Sequence, residues 1–242
     1  MYEYDSQFLG YGRSVATKSA RVIVPILQET LRPTSVLDLG CGRGAWLEVW
    51  KATGVSDVLG VDGDYVDRAN LAIDESEFRA RDLGLTIGLQ RRFDLVESLE
   101  VAEHLPESRA RGFIADLCRH GDIVLFGAAP PGQGGEQHIN EQPYAYWRAC
   151  FEELDYEAFD FIRPQIGSRH DVAPWYRYNT LLYVRRQAIG LLPESVRQTR
   201  LSKDTPIRDV SPLLYKVRKS IVRQLPTWAT QALANVAKRI PH

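Results

Sequence analysis

The sequence predicts an α/β fold, a mostly parallel sheet with helices on both faces, from three observations. Short runs rich in Val, Leu and Ile recur at regular intervals: "SVLDLG", "DVLGVD", "EFRARDL", "FDLVESL" and "DIVLFGA". Most are separated by stretches that suit helices, and strand-helix-strand repetition builds a parallel sheet covered on both sides. Two further runs, "YEAFDFIRP" and "NTLLYVRR", are joined by a long polar segment without a convincing helix, which predicts an antiparallel last pair.

Each element has its own signal. "SVATKSARVIVPILQETLRP" reads as one or two helices, interrupted or started near Pro25. "AWLEVWKATG" is apolar at 46, 47, 49 and 50 and ends on Gly54. "PESRARGFIADLCRHG" begins with a proline and ends on Gly121, and "PYAYWRACFEELD" spaces its aromatics helically. These are the crossovers. Neither repeats nor low-complexity tracts interrupt the pattern.

At 242 residues, 44% hydrophobic and 25% charged, the chain suits one domain with additions. No run approaches the about 18 apolar residues that cross a bilayer, and "MYEYDSQFLGYGRS" lacks the basic start and apolar core of a signal peptide, so a cytoplasmic location is expected. Cys41, Cys118 and Cys150 have no CxxC spacing and read as small apolar fillers. Residues 185–242 hold 12 basic and three acidic residues, whereas the preceding 184 hold 18 and 28. A basic footprint for nucleic acid is therefore missing from the body, and only the tail is suited to an anionic surface.

The most informative stretch is "VLDLGCGRG", Val36 to Gly44. A strand entering a glycine-rich turn and then a helix holds a ligand against exposed backbone N–H groups. Read as GxGxxA it also fits a dinucleotide fingerprint. Asp38 tips the balance, because a carboxylate at the strand tip receives an ammonium group and repels a pyrophosphate.

"VLDLGCGRG" resembles the first motif of class I S-adenosylmethionine-dependent methyltransferases, and further landmarks follow in order over roughly residues 10 to 184. The resemblance implies a Rossmann-like seven-stranded sheet with the last strand antiparallel, and S-adenosyl-L-methionine as cofactor. It assigns Asp38, Gly40, Cys41 and Gly42 to the cofactor's amino-acid end, and Asp62 with Gly63 to the ribose hydroxyls. Asp82 and the Leu83 backbone fall to the adenine, and the backbone around Glu97 and Ser98 to the methionine end. Tyr11, Arg13 and Ser19, in an N-terminal helical lid, are candidates for the methionine carboxylate. The catalytic domain with its lid is assigned residues 1–189, and residues 190–242 a basic helical tail.

"GGEQHINEQPYAYW", Gly134 to Trp147, follows the fifth strand at the carboxyl edge of the sheet, where ligands bind in open α/β folds. A hydroxyl acceptor needs a proton acceptor, which makes His138 the first candidate base and His104 the second. Glu136, Asn140 and Glu141 offer polar contacts and Tyr144 and Trp147 flat faces, the mixture that a sugar requires. Trp175, Tyr176 and Arg177, in "APWYRYNT", are expected to close the acceptor pocket. No metal is expected, since no compact carboxylate and His cluster shows ligand spacing; His138 with Glu141 on one loop is the alternative that keeps a metal open. The pattern also resembles methyltransferases of bacterial cell-surface polysaccharide clusters.

In the tail, "SPLLYKVRKSIVRQL" sets Leu213, Leu214, Val217, Ile221 and Leu225 on one helical face amid Lys216, Arg218, Lys219 and Arg223, and "TWATQALANVAKRI" repeats the arrangement. Docking on the acidic body, the inner face of an anionic membrane and a partner such as a glycosyltransferase are all open to these helices. The expected activity is O-methylation of a sugar hydroxyl in a glycan or glycolipid precursor. The alternatives are an amine or small-metabolite methyltransferase, or a cofactor-binding scaffold in glycan assembly. A nicotinamide oxidoreductase conflicts with Asp38 and lacks a hydride-transfer site.

Overall fold

The computed structural model describes residues 6–225, with residues 6–13 as backbone only. Seven strands form one sheet: β1 (Ser35–Leu39), β2 (Asp57–Asp62), β3 (Phe78–Ala80), β4 (Leu95–Leu99), β5 (Ile123–Gly127), β6 (Tyr156–Phe159) and β7 (Leu181–Arg185). Their order is β3-β2-β1-β4-β5-β7-β6. The first five run parallel, and β7 is antiparallel to both β5 and β6. The topology reverses between β1 and β4, which opens a crevice beyond their carboxyl ends.

Helix α1 (Ser6–Leu31) is continuous through Pro25, so the proline removes one hydrogen bond without ending the helix. It packs with α2 (Ala45–Ala52) on one face, burying Ile23, Val24, Leu27, Trp46, Leu47 and Trp50. α3 (Glu107–His120) and α4 (Tyr144–Glu152) cover the other face around Phe113, Phe126, Trp147 and Phe151. Two short helices, α5 (Arg163–Ile166) and α6 (Pro174–Asn179), occupy the connection that looked irregular in sequence. Six residues are too few for apolar periodicity to show, and "PWYRYN" is read more easily as an aromatic loop.

Beyond the sheet lie α7 (Glu194–Arg197) and α8 (Leu213–Val222). α8 docks on the body, but by the face opposite to the one its leucines mark. Lys219 and Val222 are buried, whereas Leu213, Leu214, Val217 and Ile221 are exposed. Lys219 pairs with Asp209 at 2.5 Å, Arg218 donates to the Gln133 carbonyl at 2.8 Å, and Tyr215 lies 5.5 Å from the Tyr178 ring. A side chain at Gly132 would run into the Lys219 carbonyl, so this loop lets the helix approach closely. "TWATQALANVAKRI" lies outside the described residues. Among the described residues no helix is long and apolar enough to cross a membrane.

Candidate active site

At the carboxyl end of β1 the chain turns through Gly40, Cys41, Gly42, Arg43 and Gly44 into α2. Gly40 has φ 94°, and a Cβ there would collide with Val101, whereas Gly42 has φ 52° and faces open space. The turn therefore needs glycine for conformation at 42, and its free side is where a ligand would lie. Cys41 is buried beneath it against Gly60 and is a packing residue. All three cysteines are buried and free.

Three buried carboxylates converge on this turn. Asp38 and Glu97 are register partners on β1 and β4, and Asp62 ends β2. Glu97 accepts from Trp50 Nε1 at 3.0 Å through Oε2, but its Oε1 is buried without a partner. Burial pushes Glu97 up to about 8. Asp38 is raised too, first by burial and then by the charges of Glu97 and Asp62. An uncompensated acidic pair of this kind is completed by a cation, and the amino and sulfonium groups of the expected cofactor are cations.

Asp62 has a different environment. Its Oδ2 accepts from the Gly42 N–H at 2.7 Å, and its Oδ1 from the Gly63 N–H at 2.7 Å and the Tyr65 hydroxyl at 2.5 Å. Tyr65 thus donates where a ribose hydroxyl would, a partner the sequence reading missed. Asp82 is exposed at the loop after β3, with Oδ1 accepting from Gly84 N–H, and Leu83 is buried next to it. Ser98 is fully buried and its hydroxyl donates to the Leu39 carbonyl, so its side chain ties β4 to β1.

Ser19 requires a correction. Its hydroxyl donates to the Val15 carbonyl and accepts from the Ala173 N–H, so it fastens α1 to the start of α6 and has no capacity left for a carboxylate. The side chains of Tyr11 and Arg13 lie outside the described residues.

The acceptor side is organised by Glu141. Its carboxylate takes the N–H groups of Gly132 and Gly134, both at 2.7 Å, and His138 Nδ1 at 2.9 Å. Those hydrogen bonds, working against burial, hold Glu141 below the usual carboxylate range. Asn140 is likewise structural. Its backbone N–H and that of Ile139 bond to the Glu103 carbonyl, and its side chain is buried against Ala102. Both residues shape the loop, with their polar groups engaged by their own chain. Glu136 sits half-buried on the same loop.

The loop carries His138 to within 4.9 Å, ring to ring, of His104, which follows β4 on a 3-10 turn with Glu103. Burial, then the His138 charge, lowers His104 to about 4. An imidazole so weakly basic accepts no proton near neutrality, which leaves His138 as the base candidate. Both Glu103 oxygens and His104 Nδ1 are buried without a hydrogen-bond partner. Next to them Glu100, with φ 59° at the end of β4, accepts from Gln133 Nε2 and Asn179 Nδ2. Strained, unpaired polar residues at a sheet edge are features of a working site. The spacing Glu-x-x-Glu-His in "EVAEHL" was the available sequence signal for Glu100 and Glu103.

The aromatic residues divide. Trp147 is 2% exposed against Phe126 and Tyr146, in the core rather than in a pocket. α4 turns it inward because it shares a face with Cys150 and Phe151. Tyr144 donates to Asn179 Oδ1 at 2.8 Å, and Tyr176 packs edge-on against Trp46. Arg177 is buried with Nε unpartnered, and Trp175 is partly open. A cavity of about 220 Å³ lies between the loop and α8, bordered by Gly132, Gly135, His138, Glu141 and Arg223. A larger one, about 560 Å³, lies at the opposite edge near Arg92 and Leu192 and contains none of these residues.

A family model described as a methyltransferase domain matches residues 11–152. No curated protein matches in sequence. Among solved structures the fold is similar to that of the sugar N-methyltransferase KedS8 from Streptoalloteichus sp ATCC 53650, with TM-score 0.60 at 16% identity over 77% of this chain and 94% of that one. DesVI from Streptomyces venezuelae gives 0.55 at 16% identity over 76% and 100%. An O-methyltransferase family protein from Burkholderia thailandensis gives 0.54 at 12% identity over 75% and 60%. At these identities the likeness is one of fold.

Proposed function

The chain belongs to the class I S-adenosylmethionine-dependent methyltransferases, and from that premise we propose that it methylates a sugar hydroxyl in a glycan or glycolipid precursor. S-Adenosylmethionine supplies an electrophilic methyl group. The chain's own residues have to seat the cofactor, align the acceptor oxygen and take its proton. Asp38 and Glu97 receive the cationic end, Asp62 the ribose and Asp82 the adenine.

The observation that carries the hydroxyl reading is the His138–Glu141 pair. A sugar hydroxyl ionises far above neutrality, so attack needs a positioned base, and an imidazole oriented by a carboxylate through Nδ1 is such a base. Trp175, half-buried, offers an aromatic face for a pyranose, and the structural neighbour KedS8 is a sugar N-methyltransferase. An amine acceptor is the second reading, favoured by the same neighbour's N-methylation and by the carboxyl groups of Glu100 and Glu103, which suit an ammonium.

Radiolabelled methyl transfer to panels of nucleotide-linked and lipid-linked sugars, with and without an amino group, separates the two. Labelled ether products support the hydroxyl reading; label appearing only on amino sugars removes it. Trp175→Ala is expected to raise the acceptor KM several-fold at unchanged Tm, whereas Trp147→Ala should cost about 3–5 kcal/mol of stability. Equal effects of the two on Tm would contradict the division of these tryptophans.

The cofactor seat has a pH signature. Glu97 titrates at about 8 when folded, above its ordinary value of 4.5, so the folded chain keeps a proton that the unfolded chain releases between those values. Stability without ligand therefore falls as pH rises through that window. A cation seated against the ionised pair offsets the loss, so the Tm gain from S-adenosylmethionine should be larger at about pH 8 than at about pH 6. A gain independent of pH would place the cationic end elsewhere.

The tail reading is part of the same proposal. α8 walls the acceptor cavity, and its exposed leucines with Lys216 face away, toward a partner or an anionic membrane at the cytoplasmic side. Co-sedimentation with anionic vesicles, comparing the full chain with its Leu213→Glu, Leu214→Glu variant, tests this; equal partitioning discards this face as the membrane contact.

A further inference from the structure

Glu103 is fully buried, yet neither carboxylate oxygen has a hydrogen-bond partner. Its polar surroundings are the Ala129 N–H and the carboxyl group of Glu100, a second acidic residue. Leaving a carboxylate desolvated and unpaired is among the costliest arrangements in a folded chain. His104 Nδ1 shares the problem, being buried and unpartnered. A carboxylate oxygen and an imidazole nitrogen are both lone-pair donors, and both residues stand beside His138. One ligand atom from each of the three residues lies within 4.8 Å of the others.

From this geometry we infer that Glu103, His104 and His138 bind a divalent transition-metal ion at the carboxyl edge of β4 and β5. Ligands at about 2.1 Å from a common ion stand roughly 3–4 Å apart, so the cluster needs only a small contraction to close on one. The donor set selects the ion's class. Two imidazoles and a carboxylate suit the series from Mn²⁺ to Zn²⁺, whereas Mg²⁺ and Ca²⁺ prefer all-oxygen shells.

The surroundings are those of a built site. Glu141 holds His138 through Nδ1 and is itself fixed by two backbone N–H groups, the carboxylate–histidine arrangement that orients a metal ligand. Glu100, held by Gln133 and Asn179, lies against Glu103 and places a second carboxyl group beside the cluster. Three protein ligands leave coordination positions open. Resting on the proposed acceptor class, those positions take the sugar hydroxyl, whose proton then leaves to water as the oxygen binds the ion. His138 is in that case a ligand and not the proton acceptor.

The test uses the full chain, stripped with a chelator and titrated calorimetrically with Co²⁺, Mn²⁺ and Mg²⁺, while visible absorption follows Co²⁺. One equivalent of Co²⁺ or Mn²⁺ per chain, with a ligand-field spectrum and a strong preference over Mg²⁺, is expected. Glu103→Gln and His104→Gln should each weaken binding roughly 100-fold or more, with S-adenosylhomocysteine affinity and Tm near wild type. Absence of stoichiometric binding, or binding indifferent to both substitutions, overturns the site and implies that Glu103 carries a proton instead. Should either variant fail to fold, His138→Gln, on the loop after β5, gives the same readout. Metal binding without transfer to any hydroxyl would refute the acceptor class and leave the metal site standing; hydroxyl transfer undiminished after chelation would do the reverse.

Discussion

Asp62→Ala is expected to weaken S-adenosylhomocysteine binding by roughly 100-fold or more, since hydrogen bonds to a charged group contribute about 1.5–3 kcal/mol each and two ribose hydroxyls are lost. The effect has two sources that can be separated. Asp62 is a direct partner for the ribose, and it also fastens the Gly42 N–H, and so the glycine turn, to the end of β2. Asp62→Asn retains the shape and one oxygen acceptor but not the charge, so its loss should be intermediate and its Tm closer to wild type. Tyr65→Phe removes the hydroxyl that now donates to Oδ1. If the ribose takes that position, this variant binds the ligand as well as wild type or better. Calorimetric titration of the three variants decides the matter: an Asp62→Ala protein with wild-type affinity would sink the ribose assignment.

What the sequence made legible was local. "VLDLGCGRG" sets β1, the turn and α2 because the apolar run, the glycines and the following helix are all within ten residues. The acidic tips of β1, β2 and β4 were readable for the same reason, since each ends a short apolar run. Contacts that depend on distant segments were not. The hydroxyl of Ser19 looks like a free lid residue until α6 is brought against it, 154 positions later. Trp147 fits a helical stripe or a sugar platform equally well in sequence, and only the packing of α4 on β5 decides for the core.

α8 is the sharpest case. Its leucines define an apolar face, and burial would be expected there. The body instead takes the opposite face, because Gly132 admits the helix backbone, Asp209 neutralises Lys219, and Tyr178 receives Tyr215. Specific partners on three separate segments outweigh a stripe that finds no apolar surface opposite it. The Glu103 cluster was hidden for a related reason. Glu103 and His104 are adjacent, but His138 reaches them only through a loop pinned by two hydrogen bonds to the Glu103 carbonyl.

His138→Ala carries the second large expected effect, a fall in kcat of roughly 100- to 10,000-fold at saturating cofactor, with S-adenosylhomocysteine affinity unchanged. Its side chain belongs to the acceptor half of the site, so binding of the cofactor half should not register its loss. Glu141→Gln is the informative companion. The amide still fills the space and still accepts one backbone N–H, but it no longer stabilises a positive imidazole. A base that passes through the imidazolium form therefore loses kcat in Glu141→Gln at every pH, whereas a neutral metal ligand loses mainly metal affinity, which added ion restores. Measuring kcat for both variants with and without saturating Mn²⁺ separates proton transfer from coordination at the same residue. Wild-type turnover in His138→Ala on an authentic acceptor would exclude both roles at once.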